Sequence, residues 1–245
     1  MKILGIDSSG LVASVAVTND GVLLGEYTTN YKKTHSQTLL PMLDELKKMI
    51  ELDLSTLDAI AISAGPGSFT GLRIGSATAK GLGLALDKPL IEVPTLEGLA
   101  YNLCGSNALV CPIMDARRNQ VYTAVYEFEE EPDGLLEFKA LPREVLAQTA
   151  MDIHELLSQL EKLNRKVVFL GDGVPVFSEV IRKECSVPFS FAPAHVNAQR
   201  AASIAALGEI YFAQGKTVSA AAHQPTYLRK SQAEREKEER SAQSV

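Results

Sequence analysis

Two aspartates in this 245-residue chain stand where chemistry could be done. Asp7 closes the apolar run Ile3-Leu4-Gly5-Ile6, and Asp115 closes Leu109-Val110-Cys111-Pro112-Ile113-Met114, so each carboxylate sits at the end of a predicted buried strand. A carboxylate there can attend a metal-bound nucleotide, or it can hold a turn by accepting hydrogen bonds from the residues that follow. Ser8-Ser9 after Asp7 argues for the turn, because phosphates approach a backbone closely where small glycines line it. The run Gly65-Pro66-Gly67-Ser68-Phe69-Thr70-Gly71 opens a predicted helix, the arrangement in which backbone N–H groups bind anions. It lacks the Gly-Lys-Ser/Thr of a Walker loop, and Thr70 stands where a dinucleotide fingerprint needs its third glycine. Pro66 and Thr70 flank Ser68 where a nucleophile elbow needs glycines. Ser68 or Thr70 is therefore expected to cap the helix.

Metal and redox chemistry find little support. None of the four histidines, His35, His154, His195 and His223, has a second histidine three or four residues away, so no helix presents two imidazoles to one metal. The three cysteines, Cys104, Cys111 and Cys185, are an odd number without C-x-x-C spacing and read as small buried hydrophobes. A net charge of -6 repels phosphate backbones, so contact with RNA requires a partner that supplies positive charge. The composition, 46% hydrophobic and 22% charged, excludes global disorder and collagen-like repeats. Apolar runs stop well short of the roughly 18 residues of a membrane span, and Asp7 comes too early for a signal peptide. The expected location is cytoplasmic, with no membrane partner and no cofactor.

The elements that position these residues follow from pattern. Asn19-Asp20-Gly21 predicts a hairpin between strands Ala13 to Val17 and Val22 to Tyr27. Leu39, Met42, Leu43, Leu46, Met49 and Ile50 recur at helical spacing over Ser36 to Ile50, with Pro41 tolerable only near the first turn. Strand Ala59 to Ser63, the glycine loop and a helix to about Leu86 make one unit, followed by strand Pro89 to Val93 and helix Thr95 to Leu103. The opening pattern then returns. Asp115 lies 108 residues after Asp7, and Gly171-Asp172-Gly173, after strand Lys166 to Leu170, lies 106 after Gly65-Pro66-Gly67. Two features recurring at nearly one offset predict a duplication. The boundary falls near Gly105 to Leu109, giving a lobe over 1–106, a second over 107–229 and a charged tail over 230–245. Glu129 to Gly134 reads as a hairpin turn of the second half, and a final helix over about 197–214 is expected to pack back on the first.

The helix after the glycine loop carries Gly71, Gly75, Gly81 and Gly83. At roughly 0.5 to 1 kcal/mol each relative to alanine, they cost about 2 to 4 kcal/mol, a large part of a net stability of roughly 5 to 15. Close packing must offset that cost. One face can meet the sheet. The other meets either a second protein or more of this chain, and spacing alone leaves both open.

A strand ending in Asp, followed by a hairpin and repeated in a second half, is how the actin, hexokinase and Hsp70 class builds a nucleotide cleft. Asp7, Gly65, Gly67 and Asp115 are the vestigial cofactor-site candidates on that reading, and an ATP-dependent kinase or ATPase acting alone is the alternative function. The longer motifs resemble the bacterial TsaB (YeaZ) family. They are Ile3 to Ser9, His35-Ser36-Gln37-x-Leu39-Leu40-Pro41, Gly65 to Gly75, Met114 to Tyr122, and Pro225-x-Tyr227-Leu228-Arg229, covering about 1–229. The resemblance implies a duplicated actin-like α/β fold (the ASKHA, ribonuclease H-like class) of two lobes, each a mixed sheet flanked by helices. It also implies a non-catalytic subunit of the complex that makes threonylcarbamoyladenosine at position 37 of tRNAs reading codons that begin with A. TsaD, the paralogue, carries the metal and the transfer chemistry; TsaE is an ATPase partner; tRNA is met only through the complex. TsaD holds its metal with a His-x-x-x-His pair, whereas here His35 is followed by Leu39, which implies no catalytic residue and no metal. A metallopeptidase, an older label of the wider family, is disfavoured on the same ground. The resemblance places TsaD docking on the first two helices. The interface candidates there are Leu39, Leu40 and Leu43, with Arg73, Gly75, Ser76, Ala79 and Lys80 on the second. A lone subunit is expected to pair with itself through the same patch.

Overall fold

The computed structural model describes residues 1–31, 34–128 and 141–229. Asp20 and Gly21 both take positive φ, 49° and 79°, the conformation of a tight hairpin turn, and so join β2 (Ala13–Asn19) to β3 (Val22–Thr29). β2 also pairs antiparallel with β1 (Lys2–Asp7), which runs parallel to β4 (Ala59–Gly65), itself parallel to β5 (Leu90–Pro94). The first sheet has the order β3-β2-β1-β4-β5. β1 and β4 are buried along almost their whole length, as central parallel strands require.

Helix α1 (His35–Met49) turns Leu39, Met42, Leu43 and Leu46 onto this sheet. Pro41 lies in its second turn rather than its first. Both Pro41 and Gln37, whose carbonyl the missing N–H would have bonded, are exposed, so water can satisfy that group. Helix α2 (Phe69–Leu86) connects β4 to β5, and α3 (Thr95–Tyr101) follows β5.

The second half repeats the plan. β6 (Leu109–Asp115), β7 (Gln120–Glu127) and β8 (Arg143–Asp152) form its antiparallel part, and β9 (Val167–Leu170) and β10 (Phe189–Phe191) extend it in parallel. The order β8-β7-β6-β9-β10 is that of the first sheet, strand for strand. Helices α4 (Ile153–Leu163) and α5 (Val174–Glu184) correspond to α1 and α2, and α6 (Ala201–Ala213) follows β10 as α3 follows β5.

Three apolar clusters result. One lies between α1, α2 and the outer face of the first sheet, and one between α4, α5 and the outer face of the second. The third lies between the sheets and draws Ile3, Ala61 and Ile91 from one half, Val110, Ala124 and Leu170 from the other, and Leu99 and Ile204 from α3 and α6. α6 lies on β1 and β2, where Gly5 accommodates it: a Cβ there would collide with the Ala201 carbonyl oxygen. The acidic run 129–134 and the tail 230–245 lie outside the described residues.

Candidate functional site

The loops after β1, β4, β6 and β9 converge on a cleft between the halves, a cavity of about 460 Å³. Of the four cofactor-site candidates, Asp115 and Gly67 line it, while Asp7 and Gly65 lie behind its wall. Asp7 is 1% exposed, and its Oδ1 accepts hydrogen bonds from the Ser9 amide at 2.9 Å and the Ser9 hydroxyl at 2.6 Å. Burial pushes its carboxyl above the usual range, opposed by the bonds from Ser9 and Ser63. Its role is the turn-holding one.

The glycine loop is closed by the chain itself. A Cβ on Gly67 would collide with the Ser9 carbonyl oxygen, and that oxygen also accepts from the Ser68 amide at 2.6 Å. Gly65, at φ +119°, has its open side filled by the Thr226 carbonyl. Backbone groups that a phosphate loop would offer to a ligand are therefore spent on β1–β2 loop and C-terminal contacts. Ser68 is the N-cap of α2, its Oγ accepting from the Gly71 amide at 3.3 Å; Thr70 is exposed.

The segment after α6 straps the first half and crosses to the second. Val218 bridges to Leu90, Lys80 donates to the carbonyls of Ala221 and His223, and the Thr226 amide donates to Ala64 at 2.7 Å. Tyr227 stacks on Phe69 with ring centroids 4.4 Å apart, and the Arg73 guanidinium lies 4.1 Å from the Phe69 centroid. Arg229 then donates to the Ala116 carbonyl across the cleft.

The second half leaves its acids more open. Asp115 accepts from the Arg117 amide at 2.8 Å and pairs with the Arg117 guanidinium at 3.0 Å. Arg117, Arg118 and Asn119 all take positive φ, which bends the loop so that Arg117 folds back on Asp115. Asp172, which the sequence reading did not single out as an acid, accepts from the Asp115 amide at 3.2 Å. Burial pushes its carboxyl up to about 6, with the Asp115 charge adding to the rise and Arg117 opposing it. The available signal was its place in Gly171-Asp172-Gly173, the counterpart of Gly65-Pro66-Gly67.

His35 opens α1 and its Nε2 lies 2.9 Å from the Gly10 carbonyl, while Leu39 is 1% exposed in the first core. Among the described residues no group of three His, Cys, Asp or Glu could hold a metal ion, and no helix is long and apolar enough to cross a membrane. Burial pushes the Cys111 thiol up to about 12, as for an inert core cysteine.

The interface candidates divide. Leu39, Leu43, Gly75, Ser76 and Ala79 are buried within the chain, and a Cβ on Gly75 would collide with the Ser8 hydroxyl. Gly71 and Gly83 likewise face Ser8, and Ala220 with Lys88. These positions belong to internal packing, which accounts for three of the four helical glycines. Lys80 is half-buried under the strap. Leu40 and Arg73 remain exposed, and with them an outer stripe of α2 that the sequence reading did not select: Thr70, Arg73, Ala77, Gly81 and Leu84, at intervals of three and four. A Cβ on Gly81 would meet nothing.

Two halves with one strand order, each strand-ending Asp facing a cleft, define a protein of the actin-like ATPase class. A family model described as TsaD, tRNA N6-adenosine threonylcarbamoyltransferase, matches residues 22–237. The "tRNA threonylcarbamoyladenosine biosynthesis protein TsaB" of Bacillus subtilis is 32% identical over 234 residues, 96% of each chain. That of Escherichia coli is 30% identical over 231 residues, 94% of this chain and 95% of its own. The solved structure of YeaZ from Pseudomonas aeruginosa superposes with a TM-score of 0.76 at 25% identity, covering 93% of this chain and 99% of that one. The chain belongs to the TsaB (YeaZ) family, within the wider group that the TsaD model describes.

Proposed function

We propose that this protein is a non-catalytic subunit of the machinery that makes threonylcarbamoyladenosine in tRNA. It works by docking a TsaD-like paralogue on the outer faces of α1 and α2. The observation that carries this reading is the division of α2. Its inner glycines are filled by Ser8, Ala220 and Lys88, whereas Ala77, Gly81 and Leu84, the last 65% exposed, have no cover in this chain. Leu40, 53% exposed on the adjoining α1, extends that surface. Small residues let a partner helix approach closely, and flanking leucines supply apolar area. The same patch pairs two copies of the chain when the paralogue is absent. A TsaE-like ATPase and tRNA join through the assembled complex, consistent with the acidic balance of this chain.

The filled glycine loop supports the non-catalytic part of the reading. With Gly65 and Gly67 covered by backbone carbonyls, the loop has no free N–H cradle for a phosphate. The test is reconstitution with a TsaD-like paralogue, a TsaE-like ATPase and tRNA. The expected result is co-elution with the paralogue and modification that depends on adding this chain. Failure to co-elute, or turnover of Mg-ATP by the isolated chain, contradicts the proposal.

A further inference from the structure

A second cavity, of about 560 Å³, opens at the opposite end of β1 from Asp7, beside the Asp20-Gly21 turn and the last turns of α6. Two oxygens of its walls have no hydrogen-bond partner: Thr18 Oγ1, on a side chain only 3% exposed, and Glu209 Oε1. Buried acceptors without partners are rare, and each calls for an occupant or a role. Glu209 is the one charged residue of α6, so nothing on its own helix neutralises it. Its other oxygen accepts from the Gly21 amide at 2.9 Å, a neutral donor. The Met1 ammonium on the same wall is engaged by Asp20. The remaining wall is hydrocarbon and ring, from Tyr101, Ala206 and Ile210.

Two orphan acceptors, one of them anionic, ask for a donor that carries positive charge, and the apolar wall beside them asks for hydrocarbon attached to it. We propose that this cavity is a binding site for a small organic cation, a primary amine on an apolar body. Its ammonium donates to Glu209 Oε1 and Thr18 Oγ1, and its body lies against Tyr101 and Ile210. The site lies apart from both the cleft and the outer stripe of α2, and stands or falls independently of the docking proposal.

Titration of the nitrogen-labelled full chain with phenethylamine, and with its neutral isostere phenethyl alcohol, tests the assignment. The Gly21 amide, bonded to Glu209, is the reporter. The expected result is a saturable shift with the amine and binding of the alcohol weaker by roughly tenfold, the difference a charge-assisted bond makes. Glu209→Gln brings amine binding down to the level of the alcohol, and Ala213→Trp, at an exposed wall position, abolishes both. A Gly21 amide that does not respond, as for a cavity holding water only, overturns the proposal. So does equal binding of amine and alcohol, or amine binding that both variants leave unchanged.

Discussion

The helices α2 and α5 occupy equivalent places in the two halves, yet they are built on opposite principles. α5 is an ordinary amphipathic helix whose Phe177 and Ile181 face the second core and whose sequence holds no glycine. α2 is longer, carries four glycines, and has small residues on its inner and outer stripes alike. The loops before them differ in the same sense. Gly65 and Gly171 share positive φ, 119° and 109°, and each faces a backbone carbonyl, that of Thr226 or of Ile113. Only the first is roofed by the C-terminal strap and stacked under Tyr227. The second keeps an acid, Asp172, facing the cleft. A duplicated scaffold has thus been specialised by halves: the first for close backbone packing and an open outer helix face, the second for a conventional core.

Breaking the inner stripe of α2 has the largest expected effect. Gly75→Leu places a branched side chain against the Ser8 hydroxyl and the Ile62 side chain, and costs about 3 kcal/mol through overpacking. Chemical denaturation reads the loss directly. A native-like midpoint would show that the inner stripe is not core, and the contrast with α5 would fail.

Next comes the strap. Tyr227→Ala removes the stack on Phe69 and loosens the segment that fills the side of Gly65, for a loss of about 1 to 2 kcal/mol. Hydrogen exchange is expected to rise at the Thr226 amide while the α5 amides keep their protection. Uniform change in both halves would contradict the asymmetry.

The smallest effect sharpens the comparison from the other side. Asp172 titrates near 6 in the folded chain against 3.8 for the free group, so the folded state holds its proton longer than the unfolded state. Stability from this site is therefore present below about pH 4 and falls as pH rises toward 6. Asp172→Asn keeps an acceptor for the Asp115 amide and removes the buried charge. It is expected to stabilise by about 1 to 2 kcal/mol at pH 7, with no gain at pH 4, in paired melting curves. A gain independent of pH would assign the effect to packing instead.

Much of the frame was legible in the sequence because it rests on local chemistry. Asp20-Gly21 names its turn, Ser68 caps its helix, and the matched Asp7 and Asp115 announced two sheets of one order. The roles within α2 were harder, since hydropathy cannot orient a helix whose stripes at 71, 75, 79 and 83 and at 73, 77, 81 and 84 both hold small residues. Only contacts with Ser8 and Ala220, remote in sequence, decide which stripe is inside. β8 escaped notice because it is half-exposed along its length and shows no alternation. The covering of Gly65 by Thr226 joins residues far apart in the chain, which no local pattern foretells.

The account turns on the outer stripe of α2. Gly81→Trp adds a large side chain where a Cβ meets nothing, so the monomer is expected to melt near the wild-type temperature. Co-elution of that variant with a TsaD-like paralogue, measured beside the wild-type chain, is the most direct test. The account predicts a folded variant that no longer co-elutes; a folded variant that binds the paralogue as tightly as wild type contradicts it.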